Sequence, residues 1–140
     1  MSDILAKDLA AWLAERAELS FGSVVFYAQT PEDVPLGTAV REYGGPARGY
    51  SPTAACGFQV LTRGADEAAV RSQAQKLYDA VYPPPHRLPA RMVDLSADWR
   101  ALSIDAVQPP QDIGISEGGK RQIVFNVQVK AVRLAPAEGA

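Results

Sequence analysis

Five apolar residues spaced two apart, Ile123, Phe125, Val127, Val129 and Ala131, constrain this chain more than any other feature. Successive side chains of a strand point to opposite faces, so this period demands a long strand with one face in a core. Gln122, Asn126, Gln128 and Lys130 interleave with them and place the polar side mostly outward. A strand over Lys120 to Leu134 is therefore expected to close the fold, with its apolar face under a covering layer.

Two amphipathic segments can supply that layer. Leu5, Leu9, Trp12 and Leu13 repeat at helical spacing after Ser2 or Asp3, either of which can cap a helix. Asp3 and Lys7 form an i,i+4 pair of the favourable polarity. This helix is expected to stop near Leu19, with Trp12 in the core rather than stacked on a ligand. In the second segment Gly64 breaks a strand, and Asp66 and Glu67 stand where a helix N-terminus favours acids. Val70, Ala74, Leu77 and Val81 then line one helical face until Pro83-Pro84-Pro85 ends it.

The remaining elements read as strands and loops. Ser23 to Ala28 is β-branched and aromatic, a strand signature. After the Thr30-Pro31-Glu32-Asp33 loop, a weak strand spans Thr38 to Tyr43. The prolines and glycines from Gly44 to Pro52 exclude a central strand there. Cys56 to Thr62 resumes extended structure, with Phe58, Val60 and Thr62 on one face. His86 to Asp98 reads as irregular. Ala101 to Val107 alternates, with Leu102, Ile104 and Ala106 inward, and Pro109-Pro110 ends it before a polar loop from Gln111 to Gly119. The expected order is α–β–β–β–α–β–β, its last two strands paired as a large hairpin. The expected fold class is α+β, a two-layer, mostly antiparallel β-sheet with two helices packed on one face. Residues 1–134 are expected to form a single domain and 135–140 a disordered tail.

Composition narrows the function. With 14 basic against 16 acidic residues and a pI near 5.4, the chain lacks the basic surplus that phosphate contacts require. Cys56, the single cysteine, leaves no intrachain disulfide and no multi-thiolate zinc site. No apolar run approaches the roughly 20 residues that span a bilayer. The acidic start at Met1-Ser2-Asp3 is unlike a signal peptide. These features suit a soluble protein made inside a cell.

No catalytic constellation emerges. Gly114-Ile-Ser-Glu-Gly-Gly-Lys120 fits the opening of a phosphate-binding loop, but Arg121 stands where Ser or Thr is needed and a strand follows instead of a helix. Hairpin chemistry is the better reading. His86, the sole histidine, follows three prolines with no metal-ligand spacing around it. Cys56 lies among Ala54, Ala55 and Gly57, where a small buried thiol is usual. The carboxylates Asp94, Asp98, Asp105 and Asp112 are scattered, and Arg41, Arg48, Arg87 and Arg91 fall in or beside loops. The expectation is a non-enzymatic chain with no cofactor and no metal.

Four segments carry a family resemblance: Phe58-Gln-Val-Leu-Thr-Arg-Gly64, the helix with Lys76-Leu-Tyr-Asp-Ala80, Ile104-Asp-Ala-Val-Gln-Pro-Pro110-Gln-Asp-Ile-Gly114, and Arg121-Gln-Ile-Val-Phe-Asn-Val-Gln-Val129. Their order and spacing over residues 55–132 resemble the minor capsid or tail-terminator proteins of long-tailed, siphovirus-like bacteriophages and related gene transfer agents. The resemblance implies a virion structural protein of the tail neck, assembled in the host bacterial cytoplasm. It implies a homo-oligomeric, hexameric ring that ends the tail tube, contacts the tail tube protein and the head connector or stopper protein, and lets DNA through its lumen without specific binding. No membrane is involved. Arg41, Arg48, Tyr50, Gln111, Asp112, Glu117, Lys120 and Arg121 are the expected subunit or partner contacts. Arg121→Glu is expected to weaken assembly while leaving the fold intact. The alternatives are a head-completion or stopper subunit of the same neck, and a small-ligand-binding α+β module.

Overall fold

A computed structural model describes residues 5–31, 33–44, 53–82, 90–116 and 118–134. Among them are two helices, α1 (Leu5–Arg16) and α2 (Glu67–Val81). Seven strands accompany them: β1 (Val25–Tyr27), β2 (Leu36–Gly44), β3 (Thr53–Gly64), β4 (Ala90–Asp94), β5 (Trp99–Ala106), β6 (Gln111–Ile115) and β7 (Arg121–Arg133). All seven strands form one sheet in the order β1-β2-β3-β7-β5-β4, with β6 also on β7. Every pair is antiparallel except β1·β2. Both helices cover the same face, so the fold is the two-layer α+β arrangement expected.

The alternation in β7 sets the core. Ile123, Phe125, Val127, Val129 and Ala131 are all buried, as are Phe58, Val60 and Thr62 on β3 beside it. From the helices, Leu5, Leu9, Leu13, Val70, Ala74, Leu77 and Val81 meet that face. Fully burying a side chain of the Leu, Val or Phe type stabilises by about 1.5–3 kcal/mol, so this layer contact dominates the fold. Trp12 packs half-buried against the core under the Arg16 guanidinium, 4.7 Å from its ring centroid. Cys56 is buried.

Local chemistry fixes the helix ends. Asp66 caps α2, accepting from the Ala68 amide at 3.0 Å. Past α1, Leu19 N donates to Ala14 O and Glu18 N to Glu15 O, the double bond pattern of a left-handed helix stop. Glu18 occupies the left-handed position (φ 60), where glycine is usual. The Ser2 or Asp3 cap and the proline stop at residues 83–85 lie outside the described residues.

One polar chain crosses the core: Gln73 Nε2 donates to Thr38 Oγ1 at 2.8 Å, and the Thr38 and Thr62 hydroxyls share a hydrogen bond of 2.7 Å. It ties α2 to β2 and β3 at a fixed height, because a buried amide that lost its acceptor would cost free energy.

Three expectations need correction. Ala90–Asp94, expected to be irregular, is strand β4, paired with β5. Gln111–Ile115, expected to be loop, is strand β6, so two strands are added to the order. The inward alternation on β5 is also interrupted. A bulge between Ala101 and Ser103 leaves Leu102 half-buried and makes Trp99, Ala101 and Ile104 the buried set. Bulges at Leu102 and Ile113 break the two-residue period of β5 and β6, and in the five-residue β4 Met92 stands at positive φ.

Candidate assembly surface

The long hairpin expected at the C-terminal end exists, with its first arm broken in two. β5 pairs with residues 127–133 of β7, and β6 with residues 121–124, so both lie along the same edge of β7. Pro109-Pro110 lies between them, where proline cannot donate to a ladder. Val107 N still reaches Asn126 O at 2.8 Å. The turn closes through Ser116 N to Lys120 O and Gly119 N to Ser116 O, with Gly114 and Gly119 at positive φ. The glycines near Lys120 thus build a hairpin turn that feeds a strand, a geometry with no helix N-terminus to hold phosphate.

The expected contact residues are placed as follows. Asp112 and Arg121 form a cluster with Glu67 and Arg71 at the start of α2. Arg121 Nη1 contacts Asp112 Oδ2 at 3.0 Å and its Nη2 contacts Glu67 Oε1 at 3.2 Å. Arg71 bridges the same two carboxylates at 3.0 and 3.1 Å. The Gly114 amide, then the Arg121 and Arg71 guanidiniums, hold the Asp112 carboxyl below its usual range. Arg121→Glu would set a third carboxylate beside Glu67 and Asp112, so it would loosen this corner of the fold itself. Lys120 Nζ donates to Val34 O at 3.2 Å. Gln111 is exposed on β6 opposite Val124. Arg41 lies apart from these residues, on the helix-free face of the sheet, and donates Nε and Nη2 to Gln59 Oε1. Arg48, Tyr50 and Glu117 lie outside the described residues, as does His86.

Charge patterning missed the apolar part of the surface. Among the described residues, six large hydrophobic side chains are exposed: Phe21, Tyr27, Met92, Val107, Ile113 and Ile115. They divide between the two ends of the sheet. Phe21 and Tyr27 belong to the β1 end, where Phe21 bridges to Val25. Met92, Val107, Ile113 and Ile115 belong to β4, the β5–β6 link and β6 at the other end. Ile115 is 63% and Val107 60% exposed, unusual for side chains in or beside a strand. The outer edges of β1, β4 and β6 carry no further strand among the described residues. The Ile113 and Ile115 signal is present in the sequence, but it is hidden while residues 111–119 are read as loop.

Near the β5 break, Tyr82 anchors the helix layer. Its hydroxyl donates to Ala106 O at 3.3 Å and accepts from Ala106 N at 2.7 Å, and burial pushes its pKa up. Among the described residues no group of three His, Cys, Asp or Glu side chains could hold a metal ion, and no helix is long and apolar enough to cross a membrane.

No family model and no curated protein matches the chain. Among solved structures, a chain from the virion of a native gene transfer agent particle is similar to it at 16% identity and a TM-score of 0.49, covering 87% of this chain and 84% of that one.

Proposed function

We propose that this chain is a non-enzymatic virion subunit that closes into a hexameric ring at the tail neck, ends the tail tube and joins it to the head connector. The observation that carries the reading is the division of exposed apolar side chains between opposite ends of one sheet. A ring needs a heterologous contact, in which one surface of a subunit meets a different surface of the next. Phe21 and Tyr27 at one end and Val107, Ile113 and Ile115 at the other supply two such surfaces, the second beside the outer edge of β6, which can add a strand. The order of the four segments that resemble tail terminators selects the place of the ring. A head-completion or stopper subunit would use the same two ends.

The test uses two variants, Ile115→Lys and Tyr27→Lys, each with one end disabled. Light scattering should find the parent chain as a ring and each variant alone as a monomer of unchanged unfolding temperature. Mixing them should give a heterodimer and nothing larger, because each keeps one working end. Parent-like rings from either variant, or a parent chain that stays monomeric at high concentration, would remove the reading. Six-fold annuli in negative stain would support the stoichiometry.

A further inference from the structure

The sheet face away from the helices carries a cavity of about 300 Å³ between β2, β3, β7 and the segment that follows β1. Ala39 and Leu61 are neighbours in register and form its apolar floor. Thr30 stands on one side, and Arg63, Gln122 and Arg41 also line it. Gly37 allows this closure: a Cβ there would come within 2.5 Å of the Thr30 side chain, so only glycine lets residue 30 settle on the sheet.

Its electrostatics are one-sided. Among the described residues no carboxylate pairs with Arg41 or Arg63: Arg41 is bound to the neutral Gln59 amide oxygen, and Arg63 Nη2 to Thr30 O at 2.7 Å. Arg63 Nε is buried with no hydrogen-bond partner. A guanidinium always carries its charge, so two of them without a carboxylate partner among the described residues attract an anionic group to the cavity. A carboxylate matches the guanidinium fork, and an aliphatic stem matches the Ala39 and Leu61 floor.

We propose that this cavity binds a carboxylate on a short aliphatic stem, its head beside the Arg63 guanidinium, its methylenes over Ala39 and Leu61, and Arg41 adding attraction at the mouth. Two sources present that group: a free aliphatic acid, or a Glu or Asp side chain of a second copy of this chain. The inference goes beyond the ring and does not depend on it, since a free acid can fill the cavity in an isolated subunit.

Glutarate titrated into the 15N-labelled chain tests it, with glutaramide as the uncharged control and sulfate as an anion without a stem. Glutarate should shift the Arg63 Nε resonance and the amides of Thr30, Ala39 and Leu61 saturably, and glutaramide should not. Arg63→Gln should weaken glutarate by about ten-fold, the value of a charge-assisted hydrogen bond, and Arg41→Gln by about two- to five-fold, the value of an exposed charge. Arg41 is exposed and bonded only to Gln59 among the described residues, so its variant keeps the test valid if Arg63→Gln fails to fold. If glutarate does not bind but both variants lower the assembled mass at unchanged unfolding temperature, the carboxylate comes from a neighbouring copy. Sulfate binding as tightly as glutarate would overturn the stem assignment. No binding together with unchanged assembly in both variants would overturn the site.

Discussion

The two faces of this sheet are built from the same strands by opposite rules. Beneath the helices, β7 contributes an unbroken row from Ile123 to Ala131, and the polar chain Gln73, Thr38 and Thr62 crosses it with its hydrogen bonds satisfied. On the bare face, Arg41, Gln59, Arg63, Gln122 and Asn126 surround a short transverse row, Phe26, Ala39, Leu61 and Val124, held in register across four strands. Ala39 and Val124 are only 4% and 6% exposed there, although no helix covers them. Long polar side chains can shield apolar surface with their stems while keeping their heads in water. Burial on the covered face thus comes from a second layer, and on the bare face from neighbours in the same layer. The bare face also keeps buried polar atoms without partners, Arg63 Nε and Asn126 Oδ1. A face closed by its own side chains can open to a ligand more readily than one closed by helices.

The comparison breaks if neighbouring residues of β7 respond alike. Phe125→Ala should lose about 3–5 kcal/mol in urea unfolding, as helices held by the rest of the core cannot refill the space. Val124→Ala on the bare face should lose about 1–2 kcal/mol, near the transfer value of its methyl groups, since the long side chains around it can collapse. Equal losses would mean that both faces are closed in the same way.

Thr38→Val tests whether the covered face tolerates polarity only when it is satisfied. It leaves the Gln73 amide without an acceptor and should cost about 1–3 kcal/mol by the same measurement. Adding Gln73→Met should restore most of that loss; no recovery would make the polar chain more than a satisfied pair.

A smaller effect is expected at the end of α1, where Glu18 holds a left-handed conformation. Glu18→Gly should raise stability by about 0.5–1 kcal/mol, read as a higher urea midpoint with an unchanged slope.

The last prediction concerns acid. Asp112 and Asp94 both have carboxyls held below their ordinary range, Asp112 first by the Gly114 amide and Asp94 by its hydrogen bond to Arg100. A lowered folded-state pKa contributes stability above the unfolded value, and that stability is lost as pH falls through the folded value. Below about pH 4, therefore, the β6 turn and the β4–β5 edge should loosen while the helix-covered core holds. Amide exchange should show protection at Gly114 falling between pH 5 and pH 3 with Phe125 unchanged. Parallel loss at both residues would mean one cooperative unit.

Where period and capping agree with the fold, the elements are legible in the sequence. The β7 row, the α2 face from Val70 to Val81 and the buried Phe58, Val60 and Thr62 all follow from spacing. What escaped was β4 and β6, five-residue strands too short to display a period, β6 interrupted by a bulge and β4 by Met92 at positive φ. The candidate surface fared similarly. Charged residues of the β6–β7 hairpin were legible as a group, but spacing could not tell that Arg121 and Asp112 pair with α2 of the same chain.

By itself, the sequence determined a two-layer α+β fold closed by one amphipathic strand, because local periodicity decides which side chains must leave water. Only the tertiary structure decided that Arg63 and Arg41 share a cavity and that exposed apolar residues gather at opposite ends of the sheet. Both depend on strand order and register, which bring residues distant in the chain together and leave no local trace along it.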